Sequence, residues 1–348
     1  MPSLDALPKT IRTEAELDEL MACPGAELIE TMKRLAGDIA ILGIAGKMGL
    51  SLGTLAVNAI KAAGLRKQVY GVSRFSDPTA IAALEKAGVV PIRCDLLDRT
   101  ATSALPKVPN IVFMAGRKFG TVGEEALTWA MNTHVPALVA ETFRSSRIVS
   151  FSTACVYPFV PVISQGADES SALSPPGEYA NSCVGRERMF EYFSQLHNTP
   201  GRLFRLSYAI DLRYGVLADV ALKIWRDESV DVTMGHVNVI WQGDANAQAL
   251  RCLSVATVPT TPLNVSGPET TSIRWLAQEF ARRFNKTARI TGEEATTAWL
   301  MNTGQAERLF GYPKVPLSRQ IGWVADWISR EQRLYGKPTK FEARDGKY

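Results

Sequence analysis

Gly43-Ile-Ala-Gly46-Lys47-Met48-Gly49 follows the apolar run Asp38-Ile-Ala-Ile-Leu-Gly43 and opens a segment of helical spacing from Leu50 to Ala63. Strand, glycine turn and helix in that order decide the fold. The first glycine permits a tight turn, the second lets backbone approach a phosphate, and the third lets helix pack on strand. The helix N-terminus then offers N–H groups and a partial positive charge to an anion. Glycines alone would signal only turns. With a strand before and a helix after, Gly43, Gly46, Lys47, Met48 and Gly49 are expected to cradle the pyrophosphate of a dinucleotide.

Outward from this turn, apolar runs alternate with helical segments. Strands are predicted at 68–72, 89–93, 110–114, 147–151, 201–205 and 261–266, with helices at 78–87, after Asp98, at 123–144 and at 177–196. Strands that read as continuous apolar runs mean a parallel sheet with helices on both faces, a Rossmann-type doubly wound α/β fold. The final third changes character, with helices expected at 271–284, 295–301, 304–310 and 317–333 between turn signals such as Gly267-Pro268. These form a smaller, mostly helical lobe beyond the carboxyl ends of the strands, where open α/β sheets bind ligands. Residues 1–37 read as two short amphipathic helices, near 14–21 and 25–35, capping the sheet edge or a neighbouring subunit. The expected division is a helical extension (1–37), a dinucleotide-binding domain (38–212 with about 237–266) and a substrate lobe (about 213–236 with 267–348).

The 348 residues, 46% hydrophobic and 21% charged, describe an ordinary globular chain. A net charge of +4 without runs of like charge argues against nucleic acid or a membrane surface as partner. No apolar run approaches the roughly 20 residues of a membrane span. Five scattered cysteines without CxxC spacing read as reduced thiols in a cytoplasm. His134, His197 and His236 lie far apart, so no metal is expected.

Further motifs resemble the extended short-chain dehydrogenase/reductases, the group of nucleotide-sugar epimerases and dehydratases, over about residues 38–330. Gly43, Gly46 and Gly49 match that family's GxxGxxG. Asp95-Leu96 resembles its adenine-contacting pair. The stretch Met114-Ala115-Gly116-Arg117-Lys118-Phe-Gly resembles the loop after its fourth strand, where a lysine contacts cofactor phosphates or ribose. Asn132 stands where the family places an asparagine in the next helix. Ser152-Thr153-Ala-Cys-Val-Tyr157-Pro resembles the motif carrying the catalytic hydroxyl, at Thr153, and Tyr179 begins the family's YxxxK. Asn264 to Glu269 and Ala306 to Tyr312 resemble elements of its C-terminal region. The resemblance implies NAD(P)-dependent chemistry on a carbohydrate and a homodimer formed through helices on one face of the sheet.

The implied reaction needs a base beside a sugar hydroxyl as its carbon gives up hydride. Phenol titrates near pH 10, and each unit of lowering requires about 1.4 kcal/mol of preference for phenolate. In YxxxK the lysine supplies that preference from one helical turn away. Here Tyr179-Ala-Asn-Ser-Cys183 puts a neutral thiol in its place. Lys118, Arg117 or Arg186 substitutes for the missing cation, or the substrate needs less activation, or catalysis is lost and the fold only binds a dinucleotide. That last case would make the chain a redox-sensing or scaffolding NAD(P)-binding protein. Cys183 itself reads as a buried filler rather than a nucleophile.

The second strand ends Gly71-Val-Ser73-Arg74-Phe-Ser76, with no acid for a ribose 2′-OH until Asp77. A guanidinium suits a phosphate, so Ser73 and Arg74, aided by Lys47, favour NADP over NAD. For substrate, Arg213, Asn238 and Trp241 are the candidates, with Gln242, Asp244 and Lys223 in support. The cations that would hold a nucleotide diphosphate are missing from the expected places. A free sugar, sugar acid, lactone or other small polyol therefore fits at least as well as a nucleotide sugar.

Overall fold

Ile39–Leu42 (β1), the strand before the glycine turn, is buried along its whole length. It pairs in parallel with Val69–Ser73 (β2) on one side and Asn110–Phe113 (β4) on the other. Val90–Arg93 (β3), Arg147–Thr153 (β5), Gly201–Leu206 (β6) and Thr261–Val265 (β7) complete a parallel sheet of seven strands in the order β7-β6-β5-β4-β1-β2-β3. The reversal of order between β1 and β4 opens a crevice at the carboxyl end of β1, where the glycine turn sits. The computed structural model describes residues 7–118, 120, 122–337 and 339–346. The outermost residues of the expected extension and lobe, 1–6 and 347–348, lie outside the described residues.

Thirteen α-helices among the described residues flank or extend the sheet. They are α1 (Glu14–Met21), α2 (Ala26–Arg34), α3 (Gly49–Ala62), α4 (Thr79–Ala87), α5 (Arg99–Ser103), α6 (Glu125–Trp129), α7 (Val135–Thr142) and α8 (Glu178–His197). After these come α9 (Val216–Trp225), α10 (Gln242–Cys252), α11 (Ile273–Phe284), α12 (Gly304–Phe310) and α13 (Leu317–Ser329). The period-two alternation of strand side chains feeds two cores. Ile39, Ile41, Val112, Val149 and Phe204 pack with α2, α3 and α10 on one face. Ala40, Leu42, Ile111, Phe113 and Leu203 pack with α7 and α8 on the other. Burial on both faces explains why these strands lack a polar side.

A third core joins α9, α11 and α13 through Leu217, Val220, Leu276, Phe280, Val324 and Trp327. The N-terminal helices correct one expectation. Leu17, Leu20 and Met21 of α1 enter this lobe core, whereas Leu28 and Met32 of α2 enter the core on the sheet face. The extension therefore bridges lobe and sheet domain, lying against α3 and α10 rather than capping the sheet edge.

Three other segments differ from expectation. Residues 295–301 are extended, not helical: Thr297–Ala298 pairs antiparallel with Val160–Pro161, and Trp299 donates its Nε1–H to the Tyr157 carbonyl at 2.9 Å. Two consecutive β-branched threonines suit that conformation. The segment 123–144 is helical from Glu125 but interrupted by a π turn at Ala130–His134. Helix α13 stops at Ser329, where Arg330 folds back onto Asp326.

From there residues 331–337 and 339–346 run as a strap. Tyr335 N donates to the Arg213 carbonyl, Thr339 bonds Asp219 through N and Oγ1 at 2.8 and 2.6 Å, and Phe341 is buried in the lobe core. Farther along, Arg344 donates to Thr297, and Gly346 packs on Gly177 at the start of α8. Among the described residues no helix is long and apolar enough to cross a membrane.

Candidate active site

The three glycines of the turn face different constraints. Gly43 has φ +93°, and a Cβ there would lie 2.5 Å from the Ala115 nitrogen. At Gly49 a Cβ would lie 1.9 Å from the Ile44 carbonyl oxygen. Both positions are closed by protein. A Cβ on Gly46 would meet only the Gly43 oxygen, at 3.3 Å, so this position faces open space where a phosphate group would approach. The N-cap position of α3, Met48, makes no side-chain capping bond, and no acid occupies the first turn. This backbone fits a dinucleotide pyrophosphate. Gly49→Ala is expected to lower stability by about 1–3 kcal/mol through overpacking. Gly46→Ala should instead leave the melting temperature nearly unchanged while weakening nicotinamide dinucleotide binding at least tenfold. Thermal unfolding and fluorescence titration of both variants check this pair of outcomes.

Three cavities border the turn, and two of them hold the expected site residues. The first, about 250 Å³, is lined by Gly43, Gly46, Ser73, Arg74, Asp95, Leu96, Met114, Ala115 and Gly116 among others. The Asp95 carboxylate accepts from Leu97 N at 3.1 Å, which fixes the loop after β3. Arg93, which sequence reasoning passed over, donates to the carbonyls of Arg74 and Phe75 at 2.7 and 3.2 Å and shapes this rim. Its place at the end of β3, opposite Ser73 in register, was the available signal.

The second cavity, about 260 Å³, brings Lys47, Met48, Lys118, Thr153 and Tyr179 together with Ser207, Tyr208, Tyr214, Trp299 and Thr339. Thr153 closes β5, its hydroxyl accepting from Cys155 N at 3.2 Å. Tyr179 lies in the first turn of α8 and Cys183 one turn later, fully buried. Burial pushes the Tyr179 phenol well above its ordinary value of 10, the neighbouring Cys183 and Cys155 thiols add to that, and Arg186 opposes it. Burial likewise raises the Cys183 thiol. The Lys118 ammonium lies 5.9 Å from the Tyr179 ring centroid. Tyr208, at φ +27°, holds a backbone conformation that costs a non-glycine residue energy, as residues at functional sites often do. The aromatic side chains Tyr208, Tyr214 and Trp299 escaped sequence reasoning because only folding brings lobe and strap to the cleft.

Asn132 lies in the helical segment after β4, as expected, but its side chain is turned to the protein and not to a cofactor. It is buried in the π turn, where Oδ1 accepts from Arg117 N and Arg186 Nη2, both at 2.8 Å. Its Nδ2 donates to the Arg117 carbonyl and to Ser182 Oγ, both at 2.9 Å. With its amide so engaged, Asn132 ties the loop after β4 to α8 and leaves no donor for a cofactor. Arg186 also donates to the Phe151 carbonyl at 2.8 Å, and a Cβ on Gly116 would lie 2.3 Å from its Nη2. Behind Thr153, Glu187 accepts from Ser152 Oγ and pairs with Arg205 at 2.6 Å, both partners of that pair buried.

The substrate candidates are not at this cleft. Arg213 is held by Asp211, Asp18 and Glu14 at 2.9, 2.8 and 3.3 Å, so its charge is spent joining lobe to extension. Asn238 donates to the Glu269 carbonyl and accepts from Met301 N, at 3.0 and 2.9 Å. Trp241 is buried in the lobe core, edge-on to Trp323 with centroids 5.3 Å apart. Gln242 bonds Ser51, Asp244 accepts from Val315 N, and Lys223 pairs with Glu342. Lys47 also departs from expectation: its ammonium lies over the Tyr214 ring in the second cavity, and Lys47 is not among the residues lining the cavity of Arg74.

Seven parallel strands in this order, with a glycine cradle between two cavities, define a dinucleotide-binding α/β protein. Residues 39–210, just under half of the chain, match the NAD dependent epimerase/dehydratase family. Solved structures share this fold over most of the chain. UDP-glucuronic acid 4-epimerase from Bacillus cereus, in complex with UDP-glucuronic acid and NAD, superposes with TM-score 0.69 at 17% identity, covering 84% of this chain and 99% of that one. UDP-glucose 4-epimerase from Thermotoga maritima, with UDP-glucose, gives 0.68 at 15% identity over 84% and 99%. The UDP-glucose 4-epimerase of Thermus thermophilus, in complex with NAD, gives 0.66 at 18% over 83% and 98%. Among curated proteins none matches the sequence.

Proposed function

We propose that the chain is an NAD(P)-dependent oxidoreductase or epimerase acting on a hydroxyl-bearing carbohydrate, with Tyr179 as acid/base and Thr153 orienting the reacting oxygen. The observation that carries this reading is the convergence of Thr153 and Tyr179 in one cavity with the glycine turn and the loop after β4. When bound, the nicotinamide supplies a hydride acceptor and a positive charge. Tyr179 takes the hydroxyl proton as the substrate carbon loses hydride, and the reverse step returns both. Thr153 hydrogen-bonds the same oxygen. Arg186 and Lys118 are the cations nearest to replacing the missing lysine, the first by opposing the rise in the Tyr179 pKa and the second from over its ring. A homodimer in the cytoplasm belongs to this reading, supported by the exposed Tyr192 and Leu196 on α8.

A second reading has its own observation, the fully buried thiol of Cys183 where the family carries an ammonium. It makes the chain a non-catalytic NAD(P)-binding protein with a redox-sensing or scaffolding role. Incubation with each cofactor and a panel of sugars, sugar acids and nucleotide sugars separates the two. Nicotinamide absorbance reports net redox change, and proton NMR reports inversion at carbon. Cofactor binding with neither change would establish the second reading.

NADP is the favoured cofactor, supported by Ser73 and the exposed Arg74 at the rim of the first cavity. Charge-assisted hydrogen bonds contribute about 1.5–3 kcal/mol. Arg74→Ala should therefore weaken NADP roughly 10- to 100-fold and NAD about twofold or less, as measured by titration. Equal losses would defeat the assignment.

A further inference from the structure

Charge, size and closure of the cleft beside Tyr179 bear on which carbohydrates it admits. Among the described residues lining it, the charged side chains are Lys47 and Lys118, and none is a carboxylate. The Lys47 ammonium lies 2.9 Å from the centroid of the Tyr214 ring. Burial lowers its pKa to about 7; Lys118 and Lys337 push the same way, and Asp211 and Asp219 oppose them. Both acids are already engaged, Asp211 by Arg213 and Asp219 by Thr339. A desolvated ammonium in such surroundings favours an anion as its neighbour.

At about 260 Å³ the cavity falls below the roughly 300–1,000 Å³ of pockets that take drug-sized ligands. A nucleotide diphosphate sugar needs more room than this one cavity gives, and the larger cavities, about 530 and 640 Å³, lie beyond Lys47 and Tyr214. The strap borders the lobe side. Thr339 lines the cavity while bonded to Asp219, and Phe341 is anchored in the lobe core. A nucleotide leaving the sugar pocket on that side would have to displace these contacts.

We propose, resting on the carbohydrate-oxidising reading above, that the cleft takes a small hydroxylated anion, a carboxylate- or phosphate-bearing polyol of monosaccharide size, with the Lys47 ammonium as its anchor. The anchor comes from the glycine turn itself, so one short loop serves cofactor and substrate. Anion binding and protonation of Lys47 reinforce one another. Below pH 7 the ammonium is already present. Above it each anion must bring a proton, and affinity falls by up to about tenfold per pH unit.

The test is equilibrium binding to the protein saturated with reduced cofactor, followed by nicotinamide fluorescence. The probes are D-glucuronate, D-glucose 6-phosphate, D-glucose and UDP-glucose, each at pH 6, 7 and 8.5. At least one of the two sugar anions should bind tenfold or more tightly than glucose and UDP-glucose, with affinity falling between pH 7 and 8.5. The stronger of the two identifies the anionic group. Lys47→Met should erase the preference and the pH dependence while cofactor affinity stays within about twofold. Lys47→Arg should keep the preference and lose the pH dependence. Equal binding of glucose, tighter binding of UDP-glucose, or no binding of either anion would overturn the proposal. So would a Lys47→Met variant whose main defect is in cofactor affinity, since Lys47 would then serve the diphosphate. The underlying reading fails separately, if the wild-type protein takes up no cofactor or no sugar in the panel above is transformed.

Discussion

Tyr179→Phe is expected to lower kcat about 10²- to 10⁴-fold, the range that general acid–base catalysis supplies. The ring occupies a buried position in the first turn of α8 and packs with Val156, Ala180, Cys183 and Trp299, contacts that phenylalanine retains. Cofactor affinity should stay within about twofold and the melting temperature within a few degrees. On the proposed reading, what disappears is the proton acceptor. Because burial holds the phenol well above pH 10, its base form is scarce at neutral pH, and substrate oxidation by the wild type should accelerate as pH rises through the neutral and alkaline range. The phenylalanine variant should lack that acceleration. Residual activity with an unchanged pH profile would remove Tyr179 from the reaction.

The nature of residue 183 follows from the same neighbourhood. Arg186, one turn beyond, is buried and held by the Phe151 carbonyl and Asn132 Oδ1. A lysine at 183 would set a second cation in this enclosed space, where like charges repel strongly. A small thiol avoids that conflict. On this helix Arg186, one turn beyond Cys183, is tied to the loop after β4 through Asn132.

Glu187→Ala is expected to destabilise the fold by about 3–5 kcal/mol, because it strands a buried guanidinium. Arg205 is 3% exposed and Glu187 fully buried. Their contact is bidentate, with Arg205 Nε to Oε1 at 3.0 Å and Nη2 to Oε2 at 2.6 Å. Burial works against the Arg205 charge, but the Glu187 hydrogen bonds and charge outweigh it and hold its pKa above the ordinary range. Arg205 Nη1 also donates to the Tyr157 hydroxyl, which donates in turn to Asn264 Oδ1. The chain β6–α8–β5–β7 is thus cross-linked behind Thr153. Against a typical total stability of about 5–15 kcal/mol this loss is large. Urea unfolding should show it as a lower midpoint, and Glu187→Gln, which keeps part of the hydrogen bonding, should lose less. A change below about 1 kcal/mol for the alanine variant would mean that water enters and solvates Arg205.

The strand at Ile39–Leu42 and the spacing of Gly43, Gly46 and Gly49 were legible because the rules behind them are local. An apolar run buried on both faces, a positive φ, and a Cβ that would strike the next turn leave their mark on neighbouring residues. Thr153 and Tyr179 were picked out by the resemblance of their motifs, and the structure puts the first at the end of a strand and the second in the opening turn of α8. Arg213, Asn238 and Trp241 misled because polar or aromatic character does not say which partner a side chain will meet. Each is committed to a contact distant in sequence: Arg213 to Asp18, Asn238 to Glu269 and Met301, Trp241 to Trp323.

Sequence alone therefore determined the parallel sheet and the glycine turn, consequences of backbone geometry and short-range periodicity, while Thr153 and Tyr179 were suggested by the resemblance of their motifs. Tertiary structure alone decided that Lys47 turns toward Tyr214, that the extension joins lobe to sheet, and that the C-terminal strap brings Thr339 to the cleft. Those outcomes depend on desolvation and charge balance among segments up to some 300 residues apart, such as Trp323 and the Pro8 carbonyl, and no local pattern encodes them.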